Sequence, residues 1–299
     1  MSLRKALMQT LKLKKDDSIL IIYDRKKSLA NLFALALKGF FVSVIAMNPT
    51  GQHGREPEKR VAELIKKSDV VIALTTFSLT HTAAIRKAKK TRIASMPGFE
   101  SKMMHCLLVD YSKLKRNTLR LAKILKRGSY VKVITPSGTE AEFSIKGCKI
   151  NPSYGIIEKD HVVNLPDGEV YLPPKNMNGV LVFDSFGKLI RKPTRMIVRN
   201  NRIEEFEKSS SGNYMKKILS EDKNAANVAE FGIGTNSRAR LIGNVLEDEK
   251  VLGTCHIAFG NNLGFGGSNN SSVHIDVIFK KPTIWVDEKL IMKEGRALW

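Results

Sequence analysis

Between residues 3 and 99 the chain sets short runs of consecutive apolar residues against longer segments whose apolar positions recur every three or four residues. SILIIYD, FVSVIAM and DVVIALTT have the length and β-branched content of strands buried on both faces. LRKALMQTLKL, SLANLFALALKGF and PEKRVAELIKKS alternate with them and carry the helical period. HTAAIRKAKK and RIASMPGF continue the alternation. Such an order predicts a mostly parallel sheet covered on both faces by helices. A basic amphipathic segment, YSKLKRNTLRLAKILKRG, predicts one more helix that closes this half or leads out of it.

Beyond Gly128 the pattern changes. SYVKVITPSGTEAEFSI alternates around a Pro-Ser-Gly turn, which is a hairpin signature. Short strands follow in VLVFDSFGKLI, MIVRNNRIEEF, HIAFG and VHIDVIFKKPTIWVDEKLIM, with a helix expected in SSGNYMKKILSEDKNAANV. The expected fold class is α/β, with an N-terminal parallel-sheet domain over residues 1–128 and a strand-rich α+β domain over 129–299. No GxGxxG follows the first strand, so no nucleotide cofactor is expected.

The second half carries the candidate chemistry. His274 and Asp276 are an i, i+2 pair in an extended segment, which points both to one face while Ile275 points the other way. An imidazole and a carboxylate both suit a divalent metal, and His256 in GTCHIAFG offers a third group. A His-x-Asp pair is also compatible with a simple hydrogen-bonded surface pair. Glu169, in LPDGEVYLPP, and Glu230, in VAEFGIGTN, are acids in apolar company, where a carboxylate is costly unless it meets a cation or donors. A metal meets that need; for Glu230 an ion pair with Arg238 or Arg240 does so equally.

Taken in order, LPDGEVYLPP, AEFGIGTN, LEDEKVLGTCHIAFG and SVHID resemble the catalytic half of the aminopeptidase T, or AmpS-type, family of metallo-aminopeptidases. SLTHTAAIRKAKKTRIASMPGF resembles that family's N-terminal domain. The resemblance implies that Glu169, Glu230, His256, His274 and Asp276 hold a co-catalytic pair of divalent ions, zinc, cobalt or manganese. It also implies a metal-activated water that cleaves the N-terminal bond of a peptide substrate, and a homodimer. In that reading Glu249 is the candidate acid and base, and Lys250 stabilises oxyanion charge or binds a substrate carboxylate. The run Glu247, Asp248, Glu249, Lys250 also reads as a solvated charged turn. Two departures stand out: the family's tyrosine seven residues after its first histidine is Leu263 here, and the loop GNNLGFGGSNNSS is shorter than the family's. Tyr171, two residues past Glu169, shares its face in a regular strand.

A second reading keeps the site and changes the chemistry. His256, His274 and Asp276 form a two-histidine, one-carboxylate set of the kind that holds iron(II) in oxygenases. Ring-cleaving dihydroxypyridine dioxygenases resemble the same aminopeptidase family.

Composition adds bounds. Of the net charge of +21, residues 1–128 carry +18, with 27 Lys and Arg against 9 acids. The cations lie on expected helix faces without interleaved aromatic residues, so a solvated surface is expected and nucleic acid is not the expected partner. A basic nucleic-acid-associated protein with a decayed metal site is the non-catalytic alternative. No apolar stretch is long enough to span a bilayer, and no export signal is evident, so a cytoplasmic location is expected. Cys106, Cys148 and Cys255 are odd in number and widely spaced, which argues for reduced thiols, with Cys255 packing away from His256.

Overall fold

A computed structural model describes residues 1–158 and 161–299. The chain divides into two compact units, one of Met1–Ser112 with Tyr154–Asp167 and one of Lys113–Ser153 with Gly168–Trp299.

The first unit is the expected α/β sheet. Strands Ser18–Tyr23, Phe41–Ala46, Val70–Leu74 and Arg92–Ser95 pair in parallel, in the spatial order second, first, third, fourth. Val162–Asn164 adds a fifth parallel strand beside Arg92–Ser95. Leu20, Ile22, Val71 and Ile93 from the strands bury against Val61, Ile65, Ile85 and Ala88 from the helices on one face.

The helix Tyr111–Arg127 corrects the expected boundary at residue 128. Its apolar stripe of Leu121, Ala122 and Leu125 packs with Val131, Phe143 and Phe231, so most of it belongs to the second unit. The return of 154–167 to the first unit makes that unit discontinuous, an exchange that local periodicity does not report.

The second unit holds two antiparallel sheets. One has eight strands and contains the expected hairpin, Tyr130–Ile134 with Glu140–Ser144. The other has five, in the order His274–Lys280, Thr254–Gly260, Val228–Gly234, Glu169–Leu172, Asn151–Ser153. The helix expected over 210–228 stops at Ile218; it is capped by Ser209, and beyond it Asp222 and Asn224 turn the chain with side-chain hydrogen bonds. Among the described residues no helix is long and apolar enough to cross a membrane.

Candidate metal centre

The register of the five-stranded sheet gathers the expected ligands on one face. Asp276 pairs with Ala258 and Ala258 with Glu230, while His274 pairs with Gly260 and His256 with Gly232. Gly232 also pairs with Tyr171, and Gly234 with Glu169. Directly paired residues, and those two apart, share a face. The opposite face carries Val170, Leu172, Phe231, Ile233, Cys255, Ile257, Phe259, Val277 and Phe279, all buried in the core of the unit. Cys255 thus packs away from His256, as expected.

Small residues leave room between the ligands. A Cβ on Gly232 would fall 2.0 Å from His256 Nε2, and one on Gly234 would fall 2.1 Å from the Val251 carbonyl. Gly232 therefore seats the imidazole, and Gly234 lets the segment carrying Lys250 lie against the sheet opposite Glu169. Gly232→Ala is expected to push the His256 ring aside, weaken metal binding more than about tenfold and cost about 1–3 kcal/mol of stability. Metal retention after gel filtration and a urea titration read the two effects; unchanged retention would show that His256 takes no part.

Two clusters close on each other through Glu230. Glu169, Glu230 and His256 form one group able to hold an ion, and Glu230, His274 and Asp276 form another. His256 Nε2 lies 3.3 Å from Glu230 Oε1 and 3.4 Å from Glu169 Oε2. His274 Nε2 lies 3.6 Å from Glu230 Oε2 and 3.5 Å from Asp276 Oδ2. Glu230 thus meets the histidines rather than Arg238 or Arg240, and the two-histidine, one-carboxylate set is joined through this additional acid. His274 Nδ1 donates to the Asn261 carbonyl at 2.7 Å, which fixes the tautomer and turns Nε2 toward the carboxylates.

The run from Glu247 to Lys250 is not a solvated turn. Glu247, Asp248 and Lys250 are buried. Backbone N–H groups of Arg240, Ile242 and Gly243 satisfy the two acids. Lys250 is 1% exposed, and its Nζ lies 2.5 Å from Glu169 Oε1 and 2.6 Å from Glu249 Oε1. An ammonium buried between these two acids has no exposed face for a substrate carboxylate. Leu263 is 51% exposed; the ring beside the site is Phe265.

Glu169 and Glu249 hold the one ammonium while Glu230 and Asp276 face the histidines, and the charges distort one another. Burial pushes the carboxyls of Glu230 and Glu249 up. Burial also acts to raise Asp276, but His274 outweighs it and holds Asp276 down at about 2. Burial lowers both imidazoles, yet the surrounding carboxylates overcome it and leave His256 raised to about 9 and His274 to about 10.

In the metal-free protein both histidines therefore hold protons at neutral pH. Their contribution to stability is complete below the unfolded value of about 6.5 and is lost as pH rises through 9 to 10. A divalent ion takes the lone pairs those protons occupy, so its binding is expected to tighten from pH 7 to pH 10 and to release between one and two protons. Calorimetry in buffers of different ionisation enthalpy counts them; a count of zero would place the ion elsewhere.

The fold matches the structure of 2,5-dihydroxypyridine dioxygenase from Pseudomonas putida KT2440, with a TM-score of 0.80 at 16% identity over 99% of this chain and 96% of that one. It also matches wild-type AmpT from Thermus thermophilus, with a TM-score of 0.70 at 15% identity over 99% and 98% of the two chains. Among curated protein sequences none matches. The family profile that matches, over residues 6–298, is that of NicX, 2,5-dihydroxypyridine 5,6-dioxygenase. This overturns the expectation of a metallo-aminopeptidase, a hydrolase acting on peptides: the motifs that resemble AmpT reflect a fold shared with it. Because the profile spans nearly the whole chain, the protein belongs to the NicX family of 2,5-dihydroxypyridine 5,6-dioxygenases.

Proposed function

We propose that the protein is a metal-dependent ring-cleaving dioxygenase whose substrate is a dihydroxylated aromatic ring of the dihydroxypyridine class. The observation that carries this reading is the family match over residues 6–298. The cluster fits a divalent ion on its own chemistry. Glu169 Oε2 is buried without a hydrogen bond, and the carboxylate oxygens and imidazole nitrogens gathered around it are the donors that a divalent ion takes.

Glu230, His274 and Asp276, whose ligand atoms come close to one another on the open side, would hold iron(II) in place of the expected set of His256, His274 and Asp276, with His256 and Glu169 reached through the shared carboxylate. Iron(II) bound there would supply the redox chemistry that lets dioxygen react with an aromatic ring. The chain itself does the rest. Glu169, Glu230 and His256 are buried and keep bulk water from the inner side of the centre, while the His274 side chain is 34% exposed and marks the approach. Lys250 fixes Glu169 and Glu249 through one oxygen of each. Burial raises the Glu249 carboxyl, so that as the carboxylate it would take the proton of a ring hydroxyl and as the acid return it.

The test is oxygen consumption. Protein loaded with iron(II) without air, then mixed with 2,5-dihydroxypyridine in aerated buffer, is expected to take up one dioxygen per ring as the ring absorbance disappears. Full iron occupancy with no uptake on any dihydroxylated pyridine or benzene would refute the assignment.

A further inference from the structure

We propose that Phe265 is a specificity-determining residue, an apolar wall at the mouth of the centre that selects a flat aromatic ring over other ligands of the metal. The inference deepens the ring-cleavage reading and rests on it for the substrate class. Three observations carry it: the direction of approach, the placement of the ring and the rigidity of its loop.

Of the candidate ligands, His274 has the most exposed side chain, 34% against 12% for Asp276 and 8% or less for the other three, and Phe265 stands beside it. The two rings meet edge to face, 5.9 Å apart at 86°. Tyr171 supports Phe265 with a second edge contact, 5.4 Å apart at 76°. A substrate reaching the metal past His274 therefore passes the Phe265 ring. Such a ring offers a stacking or edge surface and excludes water, and it donates no hydrogen bond.

The loop that carries Phe265 is anchored on several sides. The Asn151 amide donates to the Phe265 carbonyl at 3.1 Å. Asn262, buried, donates to the Ala229 carbonyl at 3.1 Å and accepts from the Asn269 N–H at 2.7 Å. The Asn227 amide donates to the Asn269 side chain at 2.9 Å. Asp222 accepts both serine hydroxyls, from Ser271 at 2.7 Å and Ser272 at 2.8 Å. A ring on so firmly tied a loop is set before the substrate arrives, which is what a selecting wall needs.

Two variants of the full chain, Phe265→Leu and Phe265→Met, loaded with iron(II) without oxygen, test the proposal against wild type. Dissociation constants are measured for 2,5-dihydroxypyridine and for oxalate, a non-aromatic chelating dianion, together with iron content. Both variants are expected to bind the pyridine roughly three- to tenfold more weakly, with oxalate affinity and iron content unchanged. Phe265→Tyr is expected to restore the ring affinity. Pyridine binding as tight as wild type in the folded variants, or equal weakening for pyridine and oxalate, would overturn the proposal; the second result would mean that Phe265 acts only by holding His274. Failure of the ring-cleavage reading looks different: wild type then binds the pyridine but consumes no oxygen. A wild type that binds oxalate and no ring overturns both.

Discussion

Replacing Glu230 with alanine leaves the protein unable to retain a divalent ion and lowers turnover by about a thousandfold or more, about 4 kcal/mol of lost catalysis. The expectation follows from its place in the sheet: Glu230 is the one residue common to both candidate ligand groups, with an oxygen directed at each histidine. Loss of Glu169, which belongs only to the inner group, is expected to weaken retention less. The metal-free variant is also expected to lose stability, because removing Glu230 takes a carboxylate partner from both His256 and His274. Elemental analysis after gel filtration, with a urea titration of the same sample, separates lost binding from lost fold. A Glu230→Ala protein that keeps its metal would contradict the shared-ligand geometry.

Lys250→Met has the largest expected effect on stability, a loss of about 3–5 kcal/mol in the metal-free protein. The ammonium is buried between Glu169 and Glu249, and without it both acids lose their nearest donor while staying out of water. A surface ion pair of the same composition would contribute less than about 1 kcal/mol, so the size of the loss distinguishes the two situations. The double variant Lys250→Met with Glu169→Gln is expected to recover part of the loss, since it removes a stranded charge. Urea midpoints for the two single variants and the pair complete the cycle, and additive losses would show that the residues do not interact.

The sequence was most informative where chemistry and periodicity coincide. An alternation in strand segments places His256, Glu230, His274 and Asp276 on a common face and Ile257, Phe231, Ile275 and Cys255 on the other. Several features depended on tertiary register instead. Gly232, Gly234, Ala258 and Gly260 matter because they sit opposite or between ligands across the sheet, and the only local trace of this is a small residue at every second position of FGIGT and HIAFG. The charged run ending at Lys250 reads as exposed by composition, and only the close approach of its backbone to Gly234 reveals that it is buried. Phe265 gives no periodic signal at all, because asparagine side chains rather than a regular element fix its loop. The choice between hydrolase and oxygenase was beyond local pattern for a similar reason: both chemistries draw on histidines and carboxylates, and the same five residues accommodate either reading.

The most direct test is anomalous X-ray scattering at the iron edge from crystals of protein reconstituted with iron(II). The account predicts a peak in contact with Glu230, His274 and Asp276, on the face of the sheet opposite Phe231 and Ile257. A map with no peak on that face, or with those three side chains directed away from one another, would contradict it.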